Sequence, residues 1–314
     1  MNLSEEIRRL AREKEAVILA HYYTEGAVQD VADFVGDSLG LAQQAAKTDA
    51  RIIVMCGVHF MAETCKILCP GKKVLIPDPA ASCSLAESCP AEEFAAFVRA
   101  HPDHKVVSYV NTSAAVKAVT DVVVTSTNAR QIVDSFPKDQ PLIFGPDRNL
   151  GSYLNDLTGR QMLLWDGACH VHERFSVTKI LELKAAYPNA KVLAHPECKA
   201  PVLQMADVVG STAKLLKHAV HSEETEFIVV TESGILHEMK KQAPGKTFIP
   251  VPPEVSGEVG CACNECAYMR LNTLDKLHRC LLEETPEVDV PAEVRRKALR
   301  PIKRMLDISA RLGL

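Results

Sequence analysis

The sequence predicts an α/β protein of three pseudo-threefold αβα repeats, each a small parallel sheet flanked by helices, around a central active-site cavity. Three observations carry that expectation. Short runs rich in Val, Ile and Leu alternate with helical patterns as far as about residue 255, as in βαβ units. The runs fall into three sets of four whose ends keep a common spacing, which marks an internal repeat. Polar residues also recur at the same register in every set.

The first set is AVILAHYY, DFVGDS, RIIVMCG and KKVLIPDP. The second is KVVSYVN, TDVVVTST, PLIFGPD and MLLWDG, and the third is KVLAHPE, ADVVGST, EFIVVTES and KTFIPVP. Positions 21, 38, 57 and 77 lie 88 residues before 109, 126, 145 and 165. Those lie 86, 86, 86 and 85 residues before 195, 212, 231 and 250. The expected units are therefore 1–90, 91–177 and 178–269, with a helical tail over 270–314 packing back on the first. In such sheets ligands bind beyond the carboxyl ends of the strands, so three repeats about one axis aim three sets of strand ends at one cavity.

Composition narrows the function classes. Among 314 residues, 47% are hydrophobic and 24% charged, enough to build a core and not a disordered chain. Thirty-six basic against 40 acidic residues give a net charge of −4, which disfavours a polybasic nucleic-acid or membrane footprint. The charged amphipathic start MNLSEEIRRLAREKEA is unlike a signal peptide, and no run reaches 18 apolar residues, so a cytoplasmic location is expected.

Each first strand ends in a polar pair at i and i+2: His21 with Tyr23, Tyr109 with Asn111, and His195 with Glu197. In an extended segment such pairs project to one side, so all three can face the cavity. Each second strand ends in Ser or Thr before a helical stretch: Ser38, Ser126, and Ser211 with Thr212. One such residue alone reads as an N-cap. Three helix starts aimed at one point bring hydroxyls, amide donors and positive dipole ends together, which suits a phosphate or carboxylate.

The loops after the fourth strands carry cysteines: Cys83 in the first repeat, Cys169 in the second, and Cys261, Cys263 and Cys266 in the third. One thiolate from each repeat suits a [4Fe–4S] cluster with one iron left open, able to act as a Lewis acid. Cys263 and Cys266 read equally as a dithiol pair or half a zinc site. Cys56, Cys65, Cys69, Cys89, Cys198 and Cys280 read as packing residues. His170 and His172 flank Cys169 and read either as donors to a bound group or as surface histidines. Asp147 and Arg148 read as turn residues or as an ion pair between repeats.

The motifs AHYYTEGAVQDVADFVGDSLGLAQ, CGVHFMAETCKIL, IPDPAASCSLAESC, YVNTSAAVKA, VTSTNA, FGPDRNLG, WDGACHVHE, AHPEC, VVGSTA and the Cys-x-x-Met segment at Cys266 resemble the quinolinate synthase family over nearly the whole chain. The resemblance implies the three-repeat fold. It implies a [4Fe–4S] cluster on the positions matching Cys83, Cys169 and Cys266, and condensation of iminoaspartate with dihydroxyacetone phosphate to quinolinate. The active-site positions it implies are His21, Tyr23, Ser38, Tyr109, Asn111, Ser126, His195, Glu197, Ser211 and Thr212. Of these His21, Tyr23, Tyr109, His195 and Glu197 are expected to move protons. The implied partners are the two substrates and L-aspartate oxidase or aspartate dehydrogenase as iminoaspartate supplier, with no nucleic acid and no membrane. A Cys263–Cys266 disulfide would act as a redox switch. Other three-repeat cluster enzymes, a cluster carrier and a zinc protein are the competing classes; an electron-donor requirement, a transferable cluster or a colourless metal would mark each.

Overall fold

The computed structural model describes residues 2–253 and 264–314. Cys261 and Cys263, and with them the disulfide switch, lie outside the described residues. Among the described residues, twelve strands form three separate four-stranded parallel sheets. The first sheet contains β1 (Ala16–His21), β2 (Phe34–Gly36), β3 (Ile52–Cys56) and β4 (Lys73–Leu75). The second contains β5 (Lys105–Tyr109), β6 (Val122–Val124), β7 (Leu142–Gly145) and β8 (Leu163–Leu164). The third contains β9 (Lys191–Ala194), β10 (Val208–Val209), β11 (Glu226–Val230) and β12 (Thr247–Pro250). Their orders are β2-β1-β3-β4, β6-β5-β7-β8 and β10-β9-β11-β12, one topology three times.

The repeat extends to single hydrogen bonds. Asp33 Oδ2 accepts from Ile18 N at 2.8 Å, Asp121 Oδ2 from Val106 N at 2.9 Å, and Asp207 Oδ2 from Val192 N at 2.7 Å. Each aspartate precedes the second strand of its sheet and satisfies an edge donor of the first strand that the ladder leaves free.

Strand alternation decides which residues reach the centre. Leu19, Val107 and Leu193 belong to one core cluster that draws on all three sheets. Their neighbours Ile18 and Ala20, Val106, and Val192 and Ala194 face three separate outer cores, one for each sheet. With a period of two, the inward parity of 19, 107 and 193 carries on to 21, 109 and 195. The chain thus delivers His21, Tyr109 and His195 to the common axis because their strands are amphipathic in that phase.

The tail forms two helices. Leu274–Glu283 packs on the N-terminal helix Leu3–Glu13, sharing the outer core of the first sheet through Ile7, Leu10, Leu277 and Leu281. Ala292–Arg311 spans two sheets, lying against the helix His59–Leu68 of the first and against β6 and the helix Ala114–Lys117 of the second. There Asn128 Nδ2 donates to Ser309 Oγ at 2.9 Å, both groups buried. No helix among the described residues is long and apolar enough to cross a membrane.

Candidate active site

The strand ends close around a cavity of about 60 Å³, room for several waters. His21, Tyr23, Tyr109, Asn111, His195 and Glu197 all line it, so each polar pair faces inward. Ser38, Ser126 and Thr212 line it from the second strands. Cys83, Cys169 and Cys266 line it from the loops after the fourth strands. Ser211 does not line it. It caps the helix Thr212–His221, its Oγ accepting from Lys214 N at 3.3 Å, and it faces an adjoining outer groove. Between groove and cavity, Thr127 Oγ1 donates to Asp37 Oδ2 and pairs with Ser211 Oγ, both at 2.8 Å, joining the three sheets.

His21 and His195 share one geometry. The Tyr23 N–H donates to His21 Nδ1 at 3.2 Å, and the Glu197 N–H to His195 Nδ1 at 3.4 Å. With Nδ1 accepting, the ring proton belongs on Nε2. His195 Nε2 lies 3.3 Å from Ser126 Oγ. Burial pushes both imidazoles down to about 3, against the opposing pull of Glu197, so both are neutral donors near pH 7.

Glu197 is the electrostatic centre. Burial works to raise its pKa, but His195, His172 and the hydroxyl of Tyr109 outweigh burial and hold the carboxyl below its ordinary range. Tyr109 Oη donates to Oε1 at 2.6 Å, and His172 Nδ1 lies 3.2 Å from Oε2. Burial raises the Tyr23 and Tyr109 hydroxyls well above their usual value, which keeps them protonated.

His172 settles one open reading: it is buried and stacks on His195 with ring centroids 4.7 Å apart. Its Nδ1 lies 3.3 Å from Cys169 Sγ, and its Nε2 3.0 Å from Thr231 Oγ1. With Nδ1 donating, Nε2 accepts from the Thr231 hydroxyl, which in turn accepts from Tyr23 Oη at 2.8 Å. Thr212 Oγ1 completes the line at 2.8 Å from Tyr23 Oη. His170 instead pairs with Ser84 Oγ at 2.5 Å, between the first and second sheets.

Three further groups stand at the site, and the sequence reading gave them no role there. Thr231 stands at the register of Gly57 and Gly145, where an added Cβ would meet Met61 Sδ at 2.8 Å or Trp165 Cβ at 2.3 Å. Only the third sheet has room for a side chain there, and that one-in-three departure was the available signal. Asp147 caps the helix Arg148–Thr158 through Asn149 N and Leu150 N and accepts from Cys169 N at 2.9 Å. Glu232 accepts from Cys266 N at 3.1 Å. Two buried carboxylates therefore fix the backbone of two candidate ligand cysteines, and burial pushes both up to about 8. Arg148 pairs with Asp166 at 2.8 Å and Glu173 at 3.1 Å, both in its own repeat, so among the described residues it joins no ion pair between repeats.

The donor set fits an iron–sulfur cluster. The three thiols share one cavity, where Cys266 adds to the upward push on Cys83, and Cys83 and Cys266 add to that on Cys169. Burial foremost pushes Cys83 up to about 12 and Cys266 to about 11, so each becomes a stable thiolate only against a cation. Cys169, His172 and Glu197 also offer atoms within 4.8 Å of one another, a set able to hold a single metal ion.

A family model described as the quinolinate synthetase A protein matches residues 5–307. A protein of Synechococcus sp. named quinolinate synthase is 58% identical over 304 residues, 97% of this chain and 94% of its own. One from Thermosynechococcus vestitus with the same name is 57% identical over 309 residues, covering 98% and 96%. One from Chloroherpeton thalassium is 55% identical over 309 residues, covering 98% and 95%. With its threefold sheet pattern and its site residues in the matched span, the chain belongs to the quinolinate synthetase A protein family.

Proposed function

We propose that this chain is a quinolinate synthase, condensing iminoaspartate with dihydroxyacetone phosphate to give quinolinate, phosphate and two waters. The observation that carries this reading is convergence on one cavity. Three thiols from three sheets meet three hydroxyls near helix starts and a carboxylate pinned by a tyrosine. The names of the relatives support it.

The triose phosphate sits on the hydroxyls of Ser38, Ser126 and Thr212, with amide donors of the helices Ser38–Lys47 and Thr212–His221 beside it. Asn111 donates its amide to a carboxylate of iminoaspartate. Glu197 takes the proton that must leave C3 of iminoaspartate as the new C–C bond forms. His21 and His195 donate from Nε2 to the oxygen where negative charge develops. Tyr23 and Tyr109 stay protonated and serve the later dehydrations as proton donors. When bound on Cys83, Cys169 and Cys266, a [4Fe–4S] cluster supplies an open iron as Lewis acid. The same reading places the protein in the cytoplasm, supplied with iminoaspartate by L-aspartate oxidase or aspartate dehydrogenase.

The test is anaerobic purification with iron and sulfide analysis, followed by a quinolinate assay. About four irons and four sulfides per chain are expected, with cluster and turnover both lost in Cys83→Ala. Zinc in place of iron, or iron indifferent to Cys83, would sink the reading.

A further inference from the structure

The loop that carries Asn111 is held from behind by one buried side chain. Lys117, 0% exposed, donates from Nζ to Val110 O at 2.8 Å and to Thr112 O, the carbonyls on either side of Asn111. Its ammonium lies 5.3 Å from the centre of the Phe60 ring, a cation–π contact that ties the loop to the first sheet's helix. Phe60 itself lines the cavity.

Eighty-eight residues earlier, Gln29 does the same work. Its Nε2 donates to Tyr22 O at 2.9 Å and Thr24 O at 2.8 Å, the carbonyls flanking Tyr23, and to Gly234 O at 3.2 Å. Gln29 Oε1, although buried, has no hydrogen-bond partner among the described residues. Gln29 therefore acts only as a donor into a cradle of carbonyls, a task that an ammonium performs equally well. In the third sheet the matching position is Leu203. There Asn149 Nδ2 donates instead to Glu197 O at 3.1 Å.

We propose that Lys117 and Gln29 are equivalent positioning residues. By donating to the carbonyls that flank Asn111 and Tyr23 they hold the two loops in register, and Lys117 thereby sets the affinity for the dicarboxylate substrate. This rests on the quinolinate synthase reading for the substrate's identity. Without the donor, the buried Thr112 carbonyl loses its partner and Val110 O keeps only the Thr112 N–H at 2.8 Å, so the loop must shift to find water, taking the Asn111 amide with it.

Cluster-loaded wild type, Lys117→Met and Lys117→Gln are assayed anaerobically with dihydroxyacetone phosphate and with iminoaspartate generated from oxaloacetate and ammonium. Iron content and thermal unfolding are measured on the same samples. Lys117→Met is expected to raise the KM for iminoaspartate about tenfold, with iron content retained and the KM for the triose changed far less. Lys117→Gln keeps a donor and is expected within about threefold of wild type. A wild-type KM in Lys117→Met overturns the proposal, as does a Lys117→Gln enzyme as impaired as Lys117→Met. Should Lys117→Met fail to fold, Gln29→Met carries the test. A kcat lowered about tenfold and restored by Gln29→Lys supports the clamp, and an unaltered kcat overturns it. Wild type that forms no quinolinate refutes the underlying activity, an outcome distinct from any variant result.

Discussion

Tyr109 Oη donates to Glu197 Oε1 at 2.6 Å, tying the second sheet to the third inside the cavity. A charge-assisted hydrogen bond of that length does two things at once. It stabilises the ionised carboxylate, and it fixes which carboxylate oxygen remains for a proton. Tyr109→Phe removes only the hydroxyl, so fold and iron content are expected to persist. The kcat is expected to fall on the order of 10- to 100-fold, measured as quinolinate formed at saturating substrates. Unchanged turnover would separate Tyr109 from the chemistry.

Thr231 lies between Tyr23 and His172, accepting from one and donating to the other. Thr231→Val keeps the shape and breaks the line. We expect about a tenfold lower kcat with the melting temperature within a few degrees of wild type. A matching loss in Tyr23→Phe, and no further loss in the double variant, would show that the two act as one unit.

The buried histidines make stability depend on pH. The pKa of His21 and His195 is about 3 in the folded chain and about 6.5 when unfolded. Between those values the unfolded chain binds the extra protons, so stability falls as pH drops from 6.5 toward 3. The slope is about 1.4 kcal/mol per pH unit for each histidine. Denaturant midpoints taken from pH 7 down to pH 5 should fall, and fall less steeply in His21→Asn. An equal slope in the variant would remove His21 from this account.

The three aspartates that satisfy strand edges make a matched set. Asp33→Ala, Asp121→Ala and Asp207→Ala should each cost about 1–3 kcal/mol, read from chemical unfolding, with little effect on KM. A large loss at one and none at the others would show that the sheets are not energetically equivalent.

The threefold plan was legible because strand ends, pairs at i and i+2 and cap residues are all periodic, and periodicity survives in a single sequence. What escaped was aperiodic. Nothing in the chain says that His172 is buried while His170 sits at a boundary, since the two differ only in which way a short turn rolls. Thr231 is one hydroxyl at one strand end. Asp147 and Glu232 act through the backbone N–H of distant cysteines, a contact with no linear signature. Ser211 and Thr212 are adjacent, and only the helix geometry decides that Ser211 caps while Thr212 faces the cavity.

Several polar contacts that cross between sheets stand at the cavity, Tyr23 with Thr212, Thr127 with Asp37 and Ser211, and Tyr109 with Glu197, while others such as His237 with Asp30 lie outside it. Each sheet also keeps its own outer core. The arrangement is that of an arch whose three stones meet at a keystone position, and whatever fills that position touches all three. A ligand there is interior material as much as cargo, so its binding energy adds to the cohesion of the whole molecule. Emptying the centre should loosen the joints between sheets before it loosens any sheet.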